Sequence, residues 1–292
     1  MDIVTHGMMG VVVASPWAVD RPEAAAAFML GSVLPDLDAF SRVFGKRVFL
    51  RAHQTWSHAI PVIAAIGAAA ALATGLPWAG LGLGLGMLFH GLLDATNTYG
   101  ITLFAPFTRR RFCTEWVFFI DAAVVALTVA ALGWVIRGWP EPGWKVQAAY
   151  GAALAVYWTL KALWRRRAAR LGPPGALALL PSALIPWEYF GCAREGDVLR
   201  TWRISALSGA LKDDRRTAIL DGLWLDKIRD VPEVRLMREL SPAYHVTEAV
   251  DEPSGTRLTC RDLRTRNFGA RFGEIRLRVR TEGAVEDVEF HV

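Results

Sequence analysis

WAGLGLGLGMLFHGLLDAT, residues 78–96, decides how this chain is read. Leucine and glycine alternate through its first half, and His90 and Asp94 follow four residues apart, a spacing that puts both on one helix face. The stretch is long and apolar enough to cross about 30 Å of hydrocarbon. Its glycines let a neighbouring helix approach closely. An ionisable pair at one end of such a run is costly in lipid and marks function.

Three further runs share this character: Ser57 to Leu76, Trp116 to Ile136 and Val146 to Trp164. Trp78, Trp116, Trp134, Trp139, Trp144 and Trp164 fall near the ends, as interfacial anchors do. The expected fold is a mainly α membrane protein, a helical bundle of about four transmembrane helices. Residues 7–19 and 23–34 are apolar but short, and fit membrane-associated helices or an extra hairpin. A buried helical bundle in a soluble protein is the alternative. Arg109, Arg110 and Arg111 after the second run, and Arg165, Arg166, Arg167 and Arg170 after the fourth, predict cytosolic loops at both places. By alternation residues 1–56, with Lys46, Arg47 and Arg51, are expected on the same side.

The rest of the composition agrees. Of 292 residues 53% are hydrophobic, and they concentrate before Trp164. The net charge of +5 sits in a few Arg clusters rather than over a face, which argues for membrane orientation and against nucleic-acid binding. Cys113, Cys192 and Cys260 form no CxxC pair and no disulfide framework, as suits reduced thiols facing the cytosol. The N-terminal stretch lacks a basic n-region and reads as part of the mature protein.

Four of the six histidines lie in the first 90 residues: His6, His53, His58 and His90. Asp36 and Asp38 stand in GSVLPDLD, and Asp94 follows His90. A lone histidine in an apolar stretch is more often packed and hydrogen-bonded than a ligand, so the case rests on convergence. By the expected topology all seven groups gather at one end of the bundle. Imidazole with carboxylate suits zinc, manganese or iron, and one to three ions are compatible with this many donors. Asp38 or Asp94 is expected to act as a catalytic base, or as a partner orienting a histidine. Asp121 and Glu115 are expected at the mouth of the third run, with Asp121 one turn inside it. Asn97 in NTYG reads as a turn residue or a hydrogen-bond donor to a ligand.

The order TH, G-x-x-x-P-D-x-D, H-x-x-x-S-H, H-x-x-x-D and N-T-x-G resembles a family of membrane-bound metal-dependent hydrolases, typified by the LexA-regulated inner-membrane protein YdjM. Here those motifs are Thr5-His6, Gly31 to Asp38, His53 to His58, His90 to Asp94 and Asn97 to Gly100. The resemblance covers about residues 1–125 and implies metal ligands at His6, Asp36, His53, His58, His90 and Asp94. That family is distantly similar to zinc-dependent phospholipase C and P1-type nucleases, which implies phosphoester hydrolysis. One departure stands out. Family members carry H-R-G-x-T-H, and here Gln54 and Thr55 replace the Arg and Gly. This puts in doubt any substrate contact by that Arg.

Residues 1–170 thus form an expected metal-binding helical domain and 171–292 a small α+β cytosolic domain. LGPPGALALLPSALIP, from residue 171, reads as a linker and WEYFGCAREGDVLRTWRIS as a hairpin around Glu-Gly-Asp. DRRTAILDGLWLDKI and VPEVRLMREL read as helical, and TRLTCRDLR, FGEIRLRVRTEG and AVEDVEFHV as strands. His245 and His291 lack useful neighbours in sequence and are taken as surface residues.

The expectation is a metal-dependent hydrolase of the bacterial inner membrane, acting at the cytosolic face on a phospholipid or lipid-linked phosphoester. A metal-binding transporter or sensor without turnover is the alternative.

Overall fold

A computed structural model gives the fold and describes residues 2–108, 110–139, 141, 143–264 and 273–291. Arg109, Phe272 and Val292, which the expectations above touch, lie outside the described residues. The chain divides into two compact units, Met1–Leu163 with Ser182–Pro186, and Trp164–Pro181 with Trp187–Val292.

The first unit is helical. It contains α1 (Ile3–Ala14), α2 (Pro22–Gly31), a 3₁₀ segment (Leu34–Phe44), α3 (Lys46–Ala52), α4 (Ile60–Thr74), α5 (Pro77–Asp94) and α6 (Ala122–Gly138). The part of α7 (Trp144–Leu171) up to Leu163 completes it. Proline opens α2, α4 and α5, where its missing N–H costs nothing and its fixed φ suits the first turn.

The glycines of α5 explain its neighbours. A Cβ on Gly82 would stand 2.3 Å from the carbonyl oxygen of Ala24, and one on Gly86 only 2.2 Å from that of Phe28. Only glycine lets α5 lie backbone to backbone on α2. On another side, a Cβ at Gly80 would stand 2.5 Å from the Gly67 carbonyl of α4. The two α2 contacts advance together, Ala24 with Gly82 and then Phe28 with Gly86, so α2 and α5 run parallel. The next step of four reaches Ser32 and His90, and these two are hydrogen-bonded. One row on α5, Gly82, Gly86, His90 and Asp94, therefore serves first as packing surface and then as functional face.

The expected four-span membrane bundle is overturned: among the described residues, no helix is long and apolar enough to cross a membrane. The runs of apolar sequence are longer than the helices they form. α4 has 15 residues and α6 has 17, against roughly 20 for a span. α5 has 18, but its apolarity is diluted by glycine and ends in His90 and Asp94. α7 is 28 residues long, yet carries Lys145, Gln147, Lys161 and four arginines. The third run starts late, because Asp121 is not inside a helix but caps one. Its Oδ1 accepts from the amides of Ala123 and Val124. With the spans goes the alternation from which loop sidedness was inferred.

Asp121 has a second task. It accepts from the Tyr157 hydroxyl at 2.8 and 2.9 Å and faces the buried Lys161 ammonium at 3.8 Å. Lys161 also donates to the Pro186 carbonyl, and burial brings its pKa down to about 8. The core of this unit gathers Met9, Val12, Leu93, Val117, Val124, Tyr150 and Leu154.

The second unit holds two four-stranded antiparallel sheets, each with strands in sequence order. The first contains β1 (Ala176–Pro181), β2 (Glu188–Glu195), β3 (Val198–Ser205) and β4 (Leu211–Ala218). The second contains β5 (Tyr244–Glu252), β6 (Gly255–Asp262), β7 (Ile275–Val279) and β8 (Val285–Phe290). Between them in sequence lie α8 (Asp221–Ile228) and α9 (Pro232–Leu240). The β2–β3 hairpin turns at Gly196 as the sequence predicts. Three expectations fail here. The linker contains β1, and its Ala178, Leu179 and Leu180 are buried. The DRRTA stretch is strand rather than helix, held to β3 by the pair of Arg200 with Asp214 at 2.7 Å. His245 is buried rather than on the surface, bonded through Nδ1 to Asp221 at 2.9 Å.

Candidate metal centre

Three elements of the first unit and the turn before α4 deliver side chains to one point. His6 comes from α1, whose first turn is fixed by Asp2 accepting from the amides of Val4 and Thr5. Asp36 lies on the first turn of the 3₁₀ segment, His58 just before α4, and His90 and Asp94 on the last turns of α5. His6, His58, His90 and Asp94 are fully buried, and Asp36 is 11% exposed.

Their separations are those of ligands around one ion. Nε2 of His58 is 3.1 Å from Nε2 of His90 and 3.4 Å from Asp94 Oδ2. Nε2 of His90 is 3.5 Å from Asp36 Oδ1 and 3.6 Å from Asp94 Oδ2. Donors about 2.0–2.2 Å from a tetrahedral zinc stand roughly 3.3–3.6 Å from one another. Asp36, His58, His90 and Asp94 each offer an atom within 4.8 Å of the other three. His6 turns both ring nitrogens to the other carboxylate oxygens, Asp36 Oδ2 at 3.4 Å and Asp94 Oδ1 at 3.5 Å. Neither nitrogen makes a hydrogen bond of good geometry, although the ring is fully buried and stacked on His90.

Hydrogen bonds behind the rings fix what the front presents. His90 Nδ1 is 2.8 Å from the Ser32 carbonyl, which can only accept, so Nδ1 carries the proton. Ser57 donates to Asp38 Oδ2 at 2.6 Å and accepts from His58 Nδ1 at 2.9 Å. In the neutral state both Nε2 atoms then point lone pairs inward, toward two carboxylates. Buried acceptors crowded this closely favour a cation among them, although Gln54 Nε2 and Asn97 Nδ2 also reach Asp94. This donor set fits a divalent metal ion, whose charge two carboxylates would balance.

A proton answers the same need. Burial acts to lower the His90 pKa, but hydrogen bonds to Asp36 and Asp94 outweigh it and raise it to about 9. His6 moves the other way, to about 4, driven by burial and by the facing His90 charge. His58 is also lowered by burial. Burial raises both carboxyls, yet hydrogen bonds to His6 and His90 leave Asp36 well below the ordinary range, and the N-terminal positive charge, with hydrogen bonds to His58 and His90, does the same for Asp94.

The remaining predicted residues stand one step out. His53 is 26% exposed and bonds Asp38 Oδ1 through Nδ1 at 2.5 Å. Asp38 Oδ2 also accepts from the Gln54 amide at 3.0 Å, so His53 and Asp38 brace His58 through Ser57. Asn97 both turns the chain and touches the site. Its Oδ1 accepts from the amides of Tyr99 and Gly100, and its Nδ2 lies 3.4 Å from Asp94 Oδ1. Glu115 is joined to this region through its backbone, its amide bonded to the Asn97 carbonyl.

Ser32 escapes the sequence reading, while Ser57 and Gln54 stand in its motifs without an assigned role. Gln54, with φ of +59°, donates from Nε2 to Asp94 Oδ2 at 3.3 Å and accepts from Arg111 at 3.1 Å. Arg111 also donates to the carbonyls of Tyr99 and Gly100, clasping the 99–112 loop to the HQTWSH segment.

A short-helix unit closed around a buried His/Asp cluster able to hold a metal ion is the class that the fold and site define. The chain belongs to the YdjM inner membrane protein family, whose model matches residues 1–168. No curated protein and no solved structure matches it, so the likeness to phospholipase C and P1-type nucleases has no match behind it.

Proposed function

We propose that the chain is a membrane-associated, metal-dependent hydrolase of phosphoesters, with a phospholipid or lipid-linked phosphate as substrate class. The observation that supports it most is the buried cluster of Asp36, His58, His90 and Asp94, spaced as the corners of a metal site. Zinc suits this donor set best, with manganese and iron as alternatives. His6, whose ring nitrogens face the second oxygens of Asp36 and Asp94, would complete the ligand set. A divalent ion bound here supplies Lewis acidity toward a phosphoryl oxygen and makes water acidic.

The protein's own part is orientation and proton handling. Both Asp94 oxygens face imidazole nitrogens, which suits a ligand better than a base. Asp38 is the carboxylate placed to receive a proton. It touches Ser57 beside His58 on one side and the partly exposed His53 on the other, a route outward from the buried centre. Cys113, Cys192 and Cys260 are thiols and not disulfides, which favours the cytosolic face of the membrane.

Elemental mass spectrometry of the purified protein beside His90→Ala, with turnover of bis(p-nitrophenyl) phosphate after metal loading, tests this. Bound metal and turnover lost together in the variant support it. Metal without turnover in the wild type points to transport or sensing. A wild type that stays empty after loading ends the reading.

A further inference from the structure

The 3₁₀ segment that carries Asp36 and Asp38 also carries an apolar row that stays exposed. Side chains three apart eclipse in a 3₁₀ helix, so Leu37, Phe40 and Val43 stand in line. Phe40 is 70% exposed, Val43 83% and the adjoining Phe44 80%. Val48 and Trp56 are exposed on the residues that follow. Between Ala39 and Trp56 the sequence holds Arg42, Lys46, Arg47 and Arg51 and no acidic residue. All four basic residues are exposed.

Large apolar side chains beside exposed arginine and lysine match one surface chemically: an anionic leaflet, with acyl chains below and phosphates above. A water-facing loop would gain nothing from two exposed phenylalanines, and an anionic leaflet answers both the apolar row and the four positive charges of one short stretch. We propose that residues 37–51 seat the protein on an anionic phospholipid surface. Leu37, Phe40, Val43 and Phe44 enter the acyl boundary, and Arg42, Lys46, Arg47 and Arg51 meet the phosphates. Leu37 lies between Asp36 of the metal cluster and Asp38 of the relay, so seating brings headgroup phosphates beside the centre. That last consequence rests on the hydrolase reading, whereas the seating does not.

The test uses the full chain in lipid nanodiscs, with a fluorescent label at Phe44→Cys in a Cys113→Ser background. Cys192 and Cys260 are buried and stay unlabelled. A label at Asp226→Cys, whose native side chain is 93% exposed, serves as the aqueous reference. In discs containing phosphatidylglycerol, doxyl-labelled lipid should quench position 44 several-fold more than position 226, and iodide several-fold less. All-phosphatidylcholine discs, or Lys46→Gln with Arg47→Gln and Arg51→Gln, should weaken the lipid quenching. Equal iodide quenching at 44 and 226 overturns the proposal. So does protection from both quenchers in a disc holding two copies, which assigns the face to a second chain. Lipid quenching indifferent to headgroup charge overturns the anionic requirement. No turnover or metal enters these readouts, so a failed hydrolase assay leaves their outcome intact.

Discussion

His58 Nε2 and His90 Nε2 face each other at 3.1 Å, and the bonds to Ser57 and Ser32 have already engaged both Nδ1 protons. Two inward lone pairs cannot share that distance without a cation between them, and in the metal-free protein His90 holds a proton. Its pKa is raised to about 9, so below that pH metal binding must expel the proton. Affinity is therefore expected to rise about tenfold per pH unit and to level off near pH 9. The other ligands add no slope, because His58 and His6 are lowered and both aspartates are ionised throughout. Zinc titrations against a chromophoric chelator at several pH values measure this. An affinity flat across neutral pH would mean that His90 bears no exchangeable proton.

Ser57 is the link between His58 and Asp38, with bonds of 2.9 and 2.6 Å. Ser57→Ala leaves every ligand in place but frees the His58 ring and strands its Nδ1 proton. Removing such a supporting partner typically costs roughly 10–100-fold in metal affinity. The variant should keep its thermal unfolding profile and lose affinity in that range. Unaltered affinity would show that Ser57 and Asp38 have no part in orienting His58.

Two glycine substitutions should act with opposite signs. Gly86→Ala places a methyl 2.2 Å from the Phe28 carbonyl, and rigid backbone on both helices leaves little room to yield. Forced overpacking costs about 1–3 kcal/mol. Because α2 leads to Ser32 and Asp36, separating it from α5 should also lower bound metal. Gly133→Ala on α6 meets nothing within 4 Å and should stabilise by roughly 0.5–1 kcal/mol through helix propensity. Thermal melts with metal analysis decide both. A Gly86→Ala protein as stable and metal-loaded as wild type would break the link between α2–α5 packing and the site.

The chemistry was more legible than the architecture. His90 and Asp94 share a face because helical spacing is local, and the glycines ahead of them already indicate a close neighbour. What periodicity cannot give is where a helix starts. Hydropathy carries the third run back to Trp116, but Asp121 ends it by capping α6 with its carboxylate. Apolar length likewise counts residues 57–59 into a span, although α4 begins only at Ile60. The supporting shell stays hidden for a different reason. Ser32 and Ser57 are defined by contacts 58 and 19 residues away in sequence, with His90 and Asp38, and a serine in isolation carries no sign of them. His245 is the mirror case: its acidic partner Asp221 lies 24 residues away, beyond any local spacing rule.

That pair yields the last prediction. Asp221 accepts from His245 Nδ1, Arg238 Nη1 and the Val246 amide, each at 2.9 Å, and so ties the start of α8 to β5. Burial pushes its pKa up, but these bonds prevail and hold it at about 2. A depressed carboxyl contributes stability that is present above its unfolded pKa, about 3.9, and is lost as pH falls through the folded value. The contribution is about 2 kcal/mol, disappearing between about pH 4 and pH 2. In Asp221→Asn the acid-sensitive part should be absent and β5 should already be looser at neutral pH. Hydrogen exchange of peptides spanning Tyr244–Glu252, corrected for intrinsic rates, reads this directly in the full chain. Wild-type protection should fall on acidification, and the variant's protection should start low and change little. If the variant matches wild type at neutral pH, Asp221 bears no weight in this unit, and His245 is buried for packing alone.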